Sequence, residues 1–210
     1  MKRAVIITSY LNYNINFGET LNSEDYVICT DGGYDIALEH GINVDLLLGD
    51  FDSIKNSLPK NVKIEKFKPE KDFTDLDLAL KSAVESGYDE VIIIGGIGGR
   101  LDHTVANLQL LSHYNDYFDR LSMLDGKNKC FILDAGKCHE LTLPQKADSY
   151  FSVFSLSEQC TGVTITGAKY NVTDHTFTRS FPLGVSNEFQ EKSTAISIKD
   201  GTLLIVISAK

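Results

Sequence analysis

Two aspartates two positions apart, Asp50 and Asp52 in Gly49-Asp50-Phe51-Asp52-Ser53, follow an apolar run at residues 45–49. If the chain stays extended there, both side chains point the same way. Two hard oxygen anions on one side make a Mg²⁺ site, with phosphate oxygens and water completing the octahedron. The competing reading is a solvated acidic turn with Ser53 as a helix cap. A second motif is Lys71-Asp72-Phe73-Thr74-Asp75. It reads as a helix start capped by Thr74 or Asp75. Alternatively, the helix N-terminus faces a ligand, with Asp75 as a third metal ligand and Lys71 meeting phosphate as a point charge.

A third motif, Gly95-Gly96-Ile97-Gly98-Gly99-Arg100-Leu101-Asp102-His103, places four glycines in five positions. Such a run permits unusual backbone angles and close approach of a ligand. It leads into a helix whose free N–H groups favour anions, and Arg100 adds a planar fork suited to phosphate. The plainer alternative is a Gly-rich turn with Arg100 paired to Asp102. The run is not a Walker A loop, because no Gly-Lys-Ser/Thr follows. Nor is it G-x-G-x-x-G, because the sixth position counted from Gly96 is Leu101. His103 reads as a general base or a hydrogen-bond donor to phosphate, and at least as well as a histidine that caps the helix or supports the site from behind. Asp31-Gly32-Gly33 reads as a ligand-facing turn, and Ser186-Asn187-Glu188 as a loop after Gly184. His40, His113, His139 and His175 read as surface residues. No Ser-His-Asp order or reactive-cysteine context stands out, so nucleophilic catalysis is not favoured. Together the residues describe a metal-bound polyphosphate site without identifying the acceptor.

The elements that must position these groups follow from hydrophobic patterning. Residues 4–8, 26–30, 45–49 and 90–94 are short apolar runs of the kind found in a parallel sheet covered on both faces. Leu76, Ala79, Leu80, Ala83 and Val84 recur at helical spacing before Gly87, as do Leu101, Val105, Leu108 and Leu111 before Asn115-Asp116. This is a βαβ pattern and predicts an open parallel α/β domain. Asp31, Asp50 and Asp102 then fall after strands, where open parallel sheets bind ligands. From about Lys129 the pattern becomes strands, at 130–133, 139–143, 150–156, 163–166, 168–172, 194–198 and 203–207, punctuated by glycines. That spacing predicts an all-β sandwich. The expected division is an α/β domain over 1–125 and a β-sandwich over 126–210.

The chain has 210 residues, 42% hydrophobic and 23% charged, with a net charge of −9. It is long enough to bury a core without a disulfide or metal staple. The negative charge argues against nucleic acid as a partner, because phosphate neutralisation needs a basic face. An acidic protein handling polyphosphate needs metal ions to screen its own carboxylates. The four cysteines, Cys29, Cys130, Cys138 and Cys160, contain no C-x-x-C pair and read as mostly buried small hydrophobes in a reducing compartment. The apolar run after Met1-Lys2-Arg3 is too short for a signal peptide, and no stretch approaches a membrane span. The expectation is a cytoplasmic protein with no membrane partner.

The ordered set Asp31-Gly32-Gly33, Gly49-Asp50-Phe51-Asp52-Ser53, Lys71-Asp72-x-Thr74-Asp75, Gly98-Gly99-Arg100-x-Asp102-His103 and Ser186-Asn187-Glu188 resembles bacterial thiamine pyrophosphokinase across nearly the whole chain. The resemblance implies a homodimer, with ATP on the α/β domain. It implies thiamine in a cleft between that domain and the sandwich of the other subunit. The reaction it implies is transfer of a pyrophosphoryl group from ATP to the thiamine hydroxyl, giving thiamine diphosphate and AMP. Asp50, Asp52 and Asp75 are then assigned to Mg²⁺, and Lys71 and Arg100 to phosphate charge. Asp31, Gly32, Gly33, Ser53, Asp72, Thr74, Gly98, Gly99, Arg100 and His103 are assigned to ATP, and Ser186 and Asn187 to thiamine. Asp31 and Asp102 are held for nucleotide positioning, support of the metal, or acceptance of the alcohol proton.

Two other classes compete. In a haloacid-dehalogenase-like phosphatase Asp50 is the nucleophile and Asp52 the acid/base, but that pattern expects Thr or Val where Ile54 stands. A non-catalytic nucleotide- or thiamine-binding module does not require so many carboxylates.

Overall fold

The apolar, β-branched runs of the first part form strands that are buried on both faces, because helices cover both sides of the sheet they build. A computed structural model describes residues 1–67 and 73–210. By its internal contacts the chain divides into two units, Met1–Gly126 and Lys127–Lys210.

The first unit runs β1 (Arg3–Ile7), α1 (Phe17–Thr20), β2 (Tyr26–Thr30), α2 (Gly33–Glu39), β3 (Leu46–Gly49), β4 (Lys63–Lys66), α3 (Asp75–Glu85), β5 (Glu90–Ile94), α4 (Leu101–His113) and β6 (Arg120–Asp125). All pairings in the order β6-β5-β1-β2-β3-β4 are parallel. Every residue of Leu46–Gly49 is buried, and a fully buried Leu or Ile contributes about 1.5–3 kcal/mol. The edge strand β4 is polar and mostly exposed; its lysines discourage further strand pairing.

Helix α3 buries Leu76, Ala79, Leu80 and Ala83, as its spacing predicts. Helix α4 corrects its prediction. Leu101 and Val105 lie exposed, and the buried residues are Asn107 and Leu111. The Asn107 amide donates to Gly96 O at 2.8 Å and satisfies that buried carbonyl, while Leu111 of the predicted face stays buried. Helix α2 was not anticipated; it begins at Gly33 with Gly32 as its cap, and neither residue signals a helix start.

The second unit contains β7 (Asn128–Asp134), β8 (Glu140–Pro144), β9 (Ser149–Ser155), β10 (Gln159–Thr166), β11 (Val172–Thr178), β12 (Gly184–Glu188), β13 (Ser193–Ser197) and β14 (Thr202–Ala209). They form antiparallel sheets ordered β12-β9-β14-β7 and β11-β10-β13-β8. One core joins Phe151, Val153, Leu203 and Ile205 of the first sheet to Val163, Ile165, Phe177 and Ile196 of the second. This is the predicted sandwich.

Two local predictions fail here. Residues 168–171 are a turn rather than a strand, because Asn171 Oδ1 accepts from the Ala168 amide at 3.0 Å. Ser186-Asn187-Glu188 is not a loop but part of β12, at the edge of its sheet. The pairing of β12 with β9 shifts register between Gly184 and Asn187, and Ser186 takes φ +57°, the signature of a bulge.

All four cysteines are free thiols, and Cys138 alone is exposed. No described helix is long and apolar enough to cross a membrane.

Candidate functional site

The strand order creates a switch point. The chain lays β1 to β4 outward in one direction, then returns to place β5 on the other side of β1. In open α/β sheets the crevice outside the carboxyl ends of the strands at such a point binds ligands. A cleft of about 480 Å³ opens there, with Ser9, Tyr10, Asp31, Asp52, Asp75, Gly98, Arg100 and His103 among its lining residues.

The aspartates gather at this end of the sheet. Asp31 follows β2, Asp50 and Asp52 follow β3, and Asp75 opens α3. Carboxylate oxygens of Asp31, Asp50 and Asp52 lie within 4.8 Å of one another. The chain between Asp50 and Asp52 is not extended. Phe51 takes φ +71°, and Asp50 Oδ1 accepts from the Asp52 amide at 3.1 Å. The two carboxylates therefore meet through a left-handed turn that caps its own backbone, rather than by strand alternation. Asp31 Oδ1 accepts from the Phe51 amide at 3.0 Å, which ties the two loops together. Gly49 makes room for this: it sits at φ +143°, and a Cβ there would overlap the Asp31 carboxylate.

Burial, together with a hydrogen bond to Asp75 and the nearby charge of Asp50, pushes the Asp31 carboxyl up to about 7. Hard carboxylate oxygens at this density fit a divalent cation such as Mg²⁺. The sequence reading placed Asp75 in the metal set and Asp31 outside it. The geometry adds Asp31 to Asp50 and Asp52, and Asp75 meets Asp31.

Of the two readings of Thr74-Asp75, the structure bears out the cap. Thr74 Oγ1 accepts from the Asp77 amide at 3.2 Å and caps α3, which leaves Asp75 to meet Asp31. Ser53 caps no helix; its Oγ accepts from the Gly32 amide at 3.0 Å. Gly33 packs so closely on β1 that a Cβ would strike Ile7 O. Lys71 and Asp72 lie outside the described residues.

On the opposite wall Arg100 forks onto Asp102, with Nε–Oδ1 3.2 Å and Nη2–Oδ2 2.6 Å. This pair is exposed, and the guanidinium holds the Asp102 carboxyl down to about 2. Exposed ion pairs of this kind re-partner readily, which leaves the fork available to an anion. The glycine run is shaped first by the protein's own side chains. The Gly96 amide donates to Tyr10 O at 2.9 Å, Thr104 Oγ1 accepts from the Gly98 amide at 2.9 Å, and the Tyr10 ring lies on Gly99. His103 is exposed at the mouth of the cleft.

In the second unit, Ser186 exposes its side chain. The buried Asn187 is fully engaged: its Oδ1 accepts from the Tyr170 amide at 3.0 Å and its Nδ2 donates to Tyr170 O at 2.8 Å.

Sequence reasoning missed Tyr10, Asn107 and Asp125. The Asp125 carboxylate is fully buried and accepts from the amides of Asn12, at 3.1 Å, and Tyr13, at 2.9 Å. It thereby fixes the loop after β1. Its signal was available, since Asp125 is an acid at the end of a strand in the same sheet.

Comparison with known proteins gives the family. The family model for the thiamin pyrophosphokinase catalytic domain matches residues 17–123. The model for the thiamin pyrophosphokinase vitamin B1 binding domain matches residues 138–203. The chain is 31% identical over 186 residues to the thiamine pyrophosphokinase of Bacillus subtilis (strain 168), covering 86% of each. It is 24% identical over 194 residues to thiamin pyrophosphokinase 1 of Caenorhabditis elegans, covering 88% of this chain and 79% of that one. The crystal structure of thiamine pyrophosphokinase from Bacillus subtilis aligns over 100% of both chains with a TM-score of 0.90 at 28% identity. That from Geobacillus thermodenitrificans gives 0.85 at 26% identity, covering 100% of this chain and 98% of that one.

Proposed function

The chain belongs to the thiamin pyrophosphokinase family and is an enzyme of that kind, and we propose that it moves the pyrophosphoryl group of ATP onto the hydroxyl of thiamine in a Mg²⁺-dependent reaction. Membership of the family displaces the phosphatase and non-catalytic readings. The observation that carries the proposal is the convergence of Asp31, Asp52 and Asp75 in one cleft that Arg100 also lines, with Asp50 beside Asp31 and Asp52.

In this reading the thiamine oxygen attacks the β-phosphorus of ATP in line. The bond from that phosphorus to the oxygen bridging it to the α-phosphorus breaks, and AMP leaves with the bridging oxygen. The hydroxyl proton passes to a carboxylate oxygen of the aspartate cluster. Asp31, Asp50, Asp52 and Asp75 would hold Mg²⁺, which when bound neutralises charge on the polyphosphate. Catalysis is then chiefly positioning and electrostatics. Arg100, oriented by Asp102, turns its fork to phosphate, and Lys71 adds a point charge. Gly32, Gly33, Gly98 and Gly99 shape the loops that flank the nucleotide, and Ser53 and Thr74 hold those loops in place. Asp72 and His103 complete the ATP contacts.

The first unit is the nucleotide-binding catalytic domain and the second the thiamine-binding domain. Ser186 meets thiamine, and Asn187 fixes the strand that presents it. The enzyme works in the cytoplasm as a homodimer with its active site at the subunit interface.

The Asp52→Asn variant tests the metal assignment. It should bind Mg²⁺ more weakly and turn over more slowly, with its fold intact. Near-wild-type turnover at limiting Mg²⁺ contradicts the assignment.

A further inference from the structure

Tyr10 occupies a place in the cleft that the proposed chemistry does not use. It lies on the loop after β1, directly at the β1/β5 switch point, whereas the carboxylates lie on the loops after β2 and β3 and at the head of α3. It is the sole Phe, Tyr or Trp ring among the described residues lining the cleft. The residue remains 43% exposed, so part of it is open to a ligand in the cleft it lines.

The ring is held rather than loose. Its edge carbons come within 2.8–3.1 Å of where a Cβ on Gly99 would stand, and within 3.3 Å of one on Gly98. Both glycines have positive φ, and any larger residue at Gly99 would evict the ring. Its hydroxyl donates to Asn12 Oδ1 at 3.3 Å, and its backbone carbonyl accepts from the Gly96 amide at 2.9 Å. The amide of Asn12 is in turn fixed by the buried Asp125 carboxylate. An aromatic ring fixed in this way at a nucleotide crevice is a stacking platform, because every base has a π-face and stacking costs no new ordering of the wall.

We infer that the Tyr10 ring, seated on the backbone of Gly98 and Gly99, is the wall against which the adenine base of ATP stacks. The inference rests on the reading of ATP as the substrate of this cleft. It makes Tyr10 a binding residue that sets affinity for the base and leaves the transferred group to the aspartates.

The chain contains no tryptophan, so Tyr10→Trp places the only indole of the protein at this wall. ATP and AMP should quench its emission, while inorganic tripolyphosphate and thiamine should not. Quenching by tripolyphosphate equal to that by ATP, or quenching by thiamine alone, overturns the proposal. A second arm measures ATP affinity of the Tyr10→Ala and Tyr10→Phe proteins by calorimetry, without turnover. Ala should weaken ATP about tenfold, within the range of base–aromatic stacking, with tripolyphosphate affinity unchanged, and Phe should remain close to wild type. Equal losses in Ala and Phe would assign the effect to the hydroxyl and overturn the stacking role. Quenching by ATP in a protein whose wild type forms no AMP would fail the proposed reaction while leaving the wall in place. Normal AMP formation with no base-dependent quenching or affinity loss would do the reverse.

Discussion

Asp31 and Asp75 share a hydrogen bond between their carboxyl groups, although one follows a strand and the other opens a helix 44 positions later in the chain. Burial first, and this partner second, raise the Asp31 carboxyl from its ordinary value of 3.8 to about 7. The folded metal-free protein thus favours neutral Asp31. That contribution to stability is fully present below 3.8 and is lost as the pH rises through about 7. Asp31→Asn is neutral at every pH. In EDTA its melting temperature should match wild type near pH 4 and exceed it by about 2–4 °C at pH 8, after allowance for solvent screening. A gap that stays constant with pH, or opens in the opposite direction, contradicts this.

Gly49 and Gly41 make a matched pair. Both have positive φ, but a Cβ on Gly41 meets nothing within 4 Å whereas one on Gly49 overlaps the Asp31 carboxylate. Gly41→Ala should cost about 1–2 kcal/mol from backbone strain alone and keep turnover. Gly49→Ala should lose turnover, because Asp31 must leave the cluster, and should lower stability by at least as much again. Denaturant melts and turnover on the two proteins decide it. Equal turnover in both would remove Gly49 from the account.

Asn187 offers a test of how the edge strand β12 is held. Its amide satisfies both backbone groups of Tyr170 from a buried position. Removing it leaves those groups unpaired, at about 1–3 kcal/mol each while they stay buried. Asn187→Ala should therefore lower the melting temperature as well as thiamine affinity, whereas Ser186→Ala should lower thiamine affinity alone. An Asn187→Ala protein as stable as wild type would show that the amide serves the ligand instead.

The patterning of the sequence carried the two architectures because their signals are physical and local. Apolar runs such as Leu46–Gly49 have one stable environment, the middle of a covered sheet. Strand β4 was illegible because Lys63-Ile64-Glu65-Lys66 has no apolar face to bury and is held by pairing with β3. Helix α4 was legible in extent and in part of its inward face, since Leu111 is buried, but its exposed Leu101 and Val105 and the inward Asn107 were not foreseen. At the cleft the acidic residues announced themselves, but their arrangement did not. The left-handed turn at Phe51 and the pairing of Asp31 with Asp75 depend on chain reversals that no local spacing encodes. The glycine run was read as room for a ligand, yet part of that room is filled by Tyr10.

The central claim is the transfer of an intact pyrophosphoryl group at this cleft. The most direct measurement incubates the purified protein with ATP, Mg²⁺ and thiamine and resolves AMP from ADP. The account predicts thiamine-dependent AMP, matched mole for mole by thiamine diphosphate and abolished by EDTA. ADP with thiamine monophosphate would place the attack on the wrong phosphorus and contradict it.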